Sequence, residues 1–334
     1  MSGQPEHKQN QDQLQDYLSH HRNSAGSSST ADPRITEPSQ PARRLLGGIR
    51  DTLLNHLDAD SQHTPLGGVG VFHCRQAQAL RNVPIHQPLI VLVVSGRKII
   101  ALGERRIEVL PGELLLLPGG ASVEVGNHPD HQGRPYLGLA MAFSQECIAQ
   151  FRRSYGSEIP ADTQPLWNVS APMDLVAAMA QWVEWCIRHP VDPTLARHRQ
   201  VEILMLLART GVAGNLLLDR EASWHARVAQ LITLDPARDW SAGEVCRRLG
   251  IGESTLRRRL SEEGIGFREV LEESRMVAAL ALLQETFWPV GQIAEAVGYS
   301  SHSRFSERFK RRFGLSPIEL KKTRVSDEEQ KSSA

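Results

Sequence analysis

The pattern of hydrophobic and polar residues changes along the chain and divides it into regions that differ in the spacing of their apolar residues. Residues 1–42 are polar, rich in Gln, Ser and His, and without apolar periodicity. We expect a disordered tail there, because such a segment cannot bury enough apolar surface to offset its ordering entropy. A second disordered tail is expected over residues 325–334. Between the tails, short apolar runs give way after residue 170 to the three- and four-residue spacing of helices.

Short apolar runs between residues 69 and 143 predict β-strands. Turn residues such as Ser95-Gly96 and Pro111-Gly112 separate them, at intervals of about 8–12 residues. This spacing is typical of an all-β sandwich or barrel, and the Pro-Gly turn fits a small jelly-roll barrel of cupin type. We therefore assign residues 43–170 to a cupin-like domain. The runs are Val69–Cys74, Leu89–Val94, Lys98–Leu102, Arg106–Leu110, Glu113–Leu117, Ser122–Val125 and Tyr136–Phe143.

The histidines of this region argue against a metal-dependent enzyme. Cupin enzymes usually hold their metal with a His-x-His pair, since alternate strand positions place both imidazoles on one face. The barrel region contains His73, His86, His128 and His131, but no His-x-His pair. We expect no metal, no cofactor and no enzymatic activity. The alternative is a cupin enzyme, metal-independent or metal-dependent, with an appended DNA-binding module, and a stoichiometric metal would favour it.

The barrel is instead expected to bind a small organic molecule of unknown identity, or to have only a structural role. Ligand pockets are mainly apolar and contain a few polar groups. The candidate effector-binding residues are His73, Arg75, His86, Arg97 and Tyr136.

Residues 171–220 predict two amphipathic helices, over residues 171–189 and 195–211, separated by Pro190 and Pro193. These helices could pack on the barrel or pair with a second subunit. We assign the segment to dimerisation or linking, and both possibilities stay open at this point.

Residues 221–324 contain one helical pattern twice. Each copy has a short helix with an apolar face, then a glycine (Gly250 or Gly298), then a second helix with a polar start. Glycine suits the left-handed backbone of a sharp turn, and Ser254 and Ser301 are expected to cap the second helices. This is the helix-turn-helix pattern, in which the exposed side of the second helix is free for DNA. The second helices carry apolar pairs four residues apart, Leu256 with Leu260 and Phe305 with Phe309.

A third helix is predicted between the two copies, from Arg268 to Glu285. A helix of about 16–18 residues spans roughly 24–27 Å. Successive major grooves on one face of DNA lie about 34 Å apart. Such a linker, together with the widths of the two modules, could present both recognition helices of one chain to adjacent grooves.

Charge becomes informative when it is counted by segment. The chain has 38 Lys+Arg and 38 Asp+Glu, a formal net charge of zero. Residues 221–324 hold 17 basic and 14 acidic residues, a net of +3, against −1 for residues 1–220 and −2 for the C-terminal tail. The arginines gather on or just after the predicted recognition helices, where they can contact phosphates or read guanine. Alternatives are a solvated basic face and a non-specific architectural DNA binder, which the near-neutral charge disfavours.

The composition and the cysteine spacing exclude only broad classes of protein. The chain is 40% hydrophobic and 23% charged, as in ordinary globular proteins. Its four cysteines form no C-x-x-C pair, which speaks against a structural zinc site. There is no signal pattern and no apolar run of about 18 residues, so we expect a soluble cytoplasmic protein with no membrane partner.

The C-terminal hundred residues resemble the AraC/XylS family of bacterial transcription regulators. The most specific stretch is Ile293-Ala-x-x-Val-Gly-Tyr-Ser-Ser followed by Phe305-Ser-x-x-Phe-Lys-x-x-Phe-Gly-Leu-Ser-Pro317. More weakly, Gln87–Lys98 and Pro111–Pro118 resemble the AraC-type N-terminal regulatory domain, with its strand, Gly-(Arg/Lys) turn and Pro-Gly-Glu turn.

This resemblance implies an α+β protein of several domains: an N-terminal cupin-like barrel with a helical segment, and an all-α DNA-binding domain with two helix-turn-helix motifs over residues 221–324. It implies a ligand-responsive activator that acts on promoter DNA with RNA polymerase, and a homodimer is expected. Many members have Gln or Asn where this chain has His302, so the resemblance does not give the base preference of the second helix. Residues expected nearest the bases are Ser254, Thr255, Arg257, Arg258, Ser301, His302, Ser303 and Arg304. Residues expected at phosphates are Arg259, Arg308, Lys310, Arg311 and Arg312.

Overall fold

The structure, a computed structural model, describes residues 37–59, 68–103, 105–156, 166–213, 216–217 and 223–324. Most of the polar N-terminal segment and all of the C-terminal tail predicted from the sequence lie outside these residues. The described chain has an N-terminal part built from two antiparallel sheets with helices, and a C-terminal part that is entirely helical. The predicted fold class, α+β with a barrel followed by an all-α domain, is confirmed.

Within the described ranges, nine strands form two antiparallel sheets in the N-terminal domain. The first sheet has the order β1-β8-β3-β6-β9 and the second has the order β2-β7-β4-β5. The strands are β1 (Gly70–Cys74), β2 (Gln78–Ile85), β3 (Leu89–Ser95), β4 (Arg97–Leu102), β5 (Arg105–Val109), β6 (Glu113–Leu117), β7 (Ala121–His128), β8 (Tyr136–Ala142) and β9 (Asn168–Ser170).

The first sheet is covered on both faces, which explains its continuous apolar runs. One face of β3, with Val91 and Val93, meets the second sheet inside the barrel. The other face, with Ile90 and Leu92, meets a layer of helices. In the second sheet only alternate residues of β4 face the barrel core, as Ile100 does, so its pattern alternates.

Helices of the described chain cover the outer face of the first sheet. They are α1 (Gln40–Ala59), α2 (Gln145–Tyr155), α3 (Met173–Arg188) and α4 (Pro193–Arg209). The apolar residues predicted for the two helices after the barrel are buried in this layer, Leu175 and Met179 from α3 and Leu204 from α4. These residues therefore belong to the core of their own chain.

The C-terminal domain, described over residues 223–324, contains seven helices there. They are α5 (Trp224–Leu234), α6 (Ala242–Leu249), α7 (Glu253–Glu262), α8 (Phe267–Glu285), α9 (Val290–Ala296), α10 (His302–Phe313) and α11 (Pro317–Lys322). They enclose two small cores, one around Trp240 and Leu256 and the other around Phe305, Phe309 and Phe313. Helix α8 contributes to both cores, through Val270 to the first and Leu280 to the second among others.

The second of these small cores extends onto the barrel. Leu80 of β2 is buried in the same cluster as Phe309, and Val83 and Val125 pack against it. Hydrogen bonds reinforce the contact: the side chain of Gln78 donates to Thr323 Oγ1 at 2.7 Å. The second helix-turn-helix module is therefore docked on the barrel. Among the helices of the described ranges, none is long and apolar enough to cross a membrane.

Candidate nucleic-acid interface and effector domain

The first helix-turn-helix unit consists of α6 and α7. Helix α6 begins after Ser241, whose hydroxyl accepts a hydrogen bond from the Glu244 N–H, and it ends at Gly250, whose φ of 68° is left-handed. Helix α7 begins at Glu253 with Gly252 at the N-cap position. The expectation that Ser254 caps this helix was wrong, since Ser254 lies inside the first turn and is exposed there.

The second unit consists of α9 and α10 and shows the expected cap. The hydroxyl of Ser301 accepts a hydrogen bond from the N–H of Arg304. Gly298, in the turn, has a φ of 80°. A left-handed residue at this place lets the chain reverse between the helices without the steric cost that a side chain would carry.

The apolar pairs direct the opposite faces of both recognition helices to solvent. Leu256 and Leu260 are buried on α7, and Phe305, Phe309 and Phe313 are buried on α10. Exposed side chains on the remaining surface are those of Ser254, Arg257, Arg258, Arg259, Ser301, His302, Ser303, Arg304, Lys310 and Arg311, while Thr255 is half-buried.

Two of the residues predicted to contact phosphates, Arg308 and Arg312, form ion pairs with α8. Arg312 and Arg308 are half-buried. Arg308 pairs with Glu272, and Arg312 Nη2 lies 2.5 Å from Glu273 Oε2, both glutamates belonging to α8. Because these arginines flank the buried side of α10, they fasten it to α8. In this arrangement both arginines hold α10 against α8, and their predicted contact with phosphates stays a prediction.

Arg275 of α8 joins the two units through three carbonyl groups. Its guanidinium donates to Pro236 O at 2.9 Å and to Arg238 O at 3.0 Å, in the segment that leads into α6. It also donates to Gly298 O at 3.4 Å, in the turn of the second unit. One side chain therefore fixes both helix-turn-helix units to the helix between them. Sequence reasoning missed it, because its partners are backbone atoms remote in the chain.

The candidate effector residues do not share one site. His73 and Tyr136 are buried in the barrel domain, whereas Arg75 is exposed. Arg97 pairs with Glu108 near the surface, with 3.1 Å between Nη1 and Oε1. His86 lies at the contact between the domains, next to His225.

Lys98 is a buried polar residue that the sequence reasoning missed. Lys98 lies two residues before Ile100 on β4, so its side chain is on the same face of the strand and inside the barrel. Its Nζ donates a hydrogen bond to Asn127 Oδ1 at 2.8 Å. The rings of Phe72 and Tyr136 lie 5.3 Å and 5.5 Å from Nζ. Burial lowers the pKa of Lys98 to about 7, with a smaller opposing effect from Cys74.

A chain of buried hydrogen bonds leads from Lys98 to the DNA-binding domain. Asn127 Nδ2 donates to Gln78 Oε1 at 3.1 Å, and Gln78 Nε2 donates to Thr323 Oγ1. The backbone carbonyl of Thr323 in turn accepts from the N–H groups of Arg75 and Gln76. The interior of the barrel and the end of the C-terminal domain are thus joined by polar contacts.

A barrel followed by two helix-turn-helix units on a shared helix defines a DNA-binding regulator with a regulatory domain. Comparison with known proteins agrees. Residues 65–214 match the family described as AraC-type transcriptional regulator N-terminus, and residues 245–323 match a helix-turn-helix domain family. The chain belongs to the AraC-type transcriptional regulators, as its sequence motifs predicted, and is a DNA-binding transcription regulator.

Two curated relatives cover most of the chain. The urease operon transcriptional activator of Escherichia coli is 35% identical over 262 residues, covering 75% of this chain and 88% of the relative. Transcriptional activator AggR of Escherichia coli is 33% identical over 248 residues, covering 71% and 91%.

Solved structures of ToxT from Vibrio cholerae share the fold. One of them, solved at a resolution of 1.65 Å, aligns with a TM-score of 0.53 at 14% identity, covering 77% of this chain and 98% of ToxT. Wild-type ToxT with an unsaturated fatty acid bound aligns with a TM-score of 0.52 at 15% identity, covering 77% and 95%.

Proposed function

We propose that this regulator activates transcription by placing α7 and α10 in successive major grooves of promoter DNA. The observation that carries the proposal is the pair of exposed recognition faces fixed to one helix. Helix α8 has 19 residues and is therefore about 28 Å long. With the widths of the two units added, it suits the spacing of about 34 Å between grooves.

Two kinds of DNA contact are proposed for the exposed residues. The side chains at the start of each recognition helix read base edges, and basic side chains further along contact phosphates. Arg258 pairs with Glu262 at 2.8 Å and Arg311 with Glu272 at 3.5 Å, so both exchange an acidic partner for DNA. The proposed base-contacting residues are Ser254, Thr255, Arg257, Arg258, Ser301, His302, Ser303 and Arg304. The proposed phosphate-contacting residues are Arg259, Lys310 and Arg311.

Gel-shift titrations of variants test these assignments. Arg257→Ala and Arg258→Ala should each weaken specific binding by about 1–3 kcal/mol, roughly 5- to 150-fold, and relax the preference at one base pair. Arg311→Ala should weaken binding to all sequences alike and flatten the dependence on salt concentration. Arg188→Ala, an exposed arginine on α3 paired with Glu184, is the control and should bind as the parent does.

Unchanged affinity and unchanged sequence preference in both Arg257→Ala and Arg258→Ala would contradict the placement of α7 in the groove. Equal, weak binding of the parent to all sequences would support a non-specific DNA binder instead.

The barrel is proposed to bind a small-molecule effector with an acidic group, in a binding and not a catalytic role. The support is Lys98, a buried cation with an amide partner in a largely apolar interior. ToxT, which shares the fold, has been solved with an unsaturated fatty acid bound. A carboxylate that pairs with Lys98 would compete with Asn127 and loosen the hydrogen-bond chain to Thr323, which gives the effector a route to the DNA-binding domain.

Thermal unfolding in the presence of long-chain fatty acids tests the effector class, with the matching alcohols as controls. Acids should raise the unfolding temperature and alcohols should not, and Lys98→Met should abolish the difference. A shift of equal size in the parent and in Lys98→Met would refute the role of Lys98.

A homodimer is proposed to form through α3 and α4. A groove of about 320 Å³ on their outer face is lined by Trp182, Trp185 and Leu195 among others, and Leu195 is 46% exposed. Leu195→Glu should convert a dimer into a monomer in light scattering, whereas a monomeric parent would contradict the proposal. The regulator is further proposed to act in the cytoplasm with RNA polymerase, which in vitro transcription from a bound promoter would test.

A further inference from the structure

Three potential metal ligands from different parts of the chain meet where the barrel contacts the DNA-binding domain. His86 follows β2 of the barrel, His225 lies in the first turn of α5, and Glu273 lies in the middle of α8. Their facing atoms are His86 Nε2, His225 Nε2 and Glu273 Oε1, which all lie within 4.8 Å of one another. We call these three residues the interdomain triad.

The facing atoms of the interdomain triad are buried and, within the described part of the chain, lack hydrogen bonds of acceptable geometry. His225 Nε2 lies 2.7 Å from Glu273 Oε1, and His86 Nε2 lies 3.6 Å from the same oxygen. Buried polar atoms are normally satisfied, and among the described residues the buried His86 Nε2 has no hydrogen-bond partner while it faces the oxygen that His225 also contacts. A cation among them would satisfy all three together.

The two separations that involve Glu273 Oε1 fit a zinc-type ion after small adjustments. Zinc binds imidazole nitrogen and carboxylate oxygen at about 2.0–2.2 Å, so two ligand atoms of a tetrahedral site are about 3.3 Å apart. The 2.7 Å pair would have to open by about 0.6 Å and the 3.6 Å pair would have to close by about 0.3 Å. The two imidazole rings are at 85° to each other, an edge arrangement in which both nitrogens can be directed at one point.

One carboxylate oxygen of Glu273, Oε1, faces the two histidines. Arg312 holds the other carboxylate oxygen at 2.5 Å, which orients Oε1 toward the histidines as an outer-shell partner orients a ligand.

We propose that His86, His225 and Glu273 bind one divalent transition ion of the zinc type, which ties the barrel to the DNA-binding domain. Two imidazoles and one carboxylate supply three ligands, and solvent completes the coordination. One ligand comes from the barrel and two come from the helical domain. Binding therefore favours the docked arrangement over a separated one. None of the three ligands lies on a recognition helix, although Arg312 of α10 contacts Glu273.

Equilibrium dialysis of the untagged full-length protein against buffered Zn²⁺ tests the proposal. The parent should hold one ion per chain, and His225→Gln and Glu273→Gln should each weaken binding at least tenfold. His198→Gln, an exposed histidine of α4, is the matched control. A second control replaces His7, His20 and His21 with Gln, and both controls should bind as the parent does. Circular dichroism shows whether each variant is folded.

X-ray absorption at the zinc edge of the parent decides the ligand set even if a variant fails to fold. The proposal predicts two imidazoles with oxygen and no sulfur. It is overturned if the parent holds no ion at micromolar free zinc, if His225→Gln and Glu273→Gln bind as tightly as the parent, or if the coordination shell contains cysteine sulfur.

Discussion

Replacement of Arg275 by Met tests whether the two helix-turn-helix units act as one rigid reader. The change removes three charge-assisted hydrogen bonds, to Pro236 O, Arg238 O and Gly298 O, while keeping most of the apolar stem. Hydrogen bonds to charged groups contribute about 1.5–3 kcal/mol each when well buried. Because Arg275 is half-buried and one bond is long, we expect a total of about 2–3 kcal/mol.

The loss should appear mainly in binding that needs both recognition helices. If all of that energy serves to orient the units, affinity for a duplex with both sequence elements falls roughly 30- to 150-fold. Affinity for a duplex with one element should fall by less than about threefold, since each unit keeps its own core. Fluorescence anisotropy with the two duplexes measures both constants at one salt concentration.

Arg268→Met provides the control, because Arg268 is an exposed arginine of the same helix. It should alter both affinities only slightly. Equal losses on the two duplexes for Arg275→Met, or no loss on either, would refute the idea that Arg275 couples the units.

Substitution of the turn glycines, of the buried Lys98 and of Thr323 in the interdomain hydrogen bond should each change the stability of the folded protein. Gly250→Ala should lower the free energy of unfolding in urea by about 1 kcal/mol, because its backbone is left-handed. Gly298→Ala should lower it by at least about 2 kcal/mol, because a Cβ there would also lie 2.8 Å from the Arg275 guanidinium. Equal losses for the two variants would contradict this reasoning. The pKa of Lys98 is about 7 when folded against 10.5 for the ordinary group, so the unfolded chain binds more protons between these values. Parent stability relative to Lys98→Met should therefore rise from pH 7 to pH 9, by up to about 1.4 kcal/mol per pH unit, and a flat difference would refute the burial effect. Thr323→Val leaves Gln78 Nε2 without its acceptor and should cost about 1–3 kcal/mol, so an unchanged urea midpoint would contradict the contact.

Local patterns in the sequence were enough to predict most elements of the fold. The helical periodicity of residues 268–285 predicts α8 to within one residue at its start, and the apolar run Leu89–Val94 predicts β3. Strand β2 was missed because it contains Pro84 and a bulge at Asn82, whose φ of 51° breaks the alternation. Strand β9 was missed because it has only three residues. Both strands depend on pairing with distant partners more than on their own pattern.

The recognition faces could also be predicted, because helical spacing decides which side of a helix is buried. The roles of Arg308, Arg312 and Arg275 could not, since they depend on glutamates and carbonyl groups more than 20 residues away in the chain. The interdomain triad was missed for the same reason. His86 and Glu273 come from different domains and meet only when the second helix-turn-helix unit docks on the barrel.

Selection of binding sequences from a random duplex library tests the central claim most directly. The two-groove arrangement predicts that the full-length protein enriches two sequence blocks whose centres lie about 10–10.5 base pairs apart. Arg258→Ala should relax one block and Arg304→Ala the other. A single enriched block, no enrichment, or the same block relaxed by both variants would contradict the claim that α7 and α10 read successive major grooves.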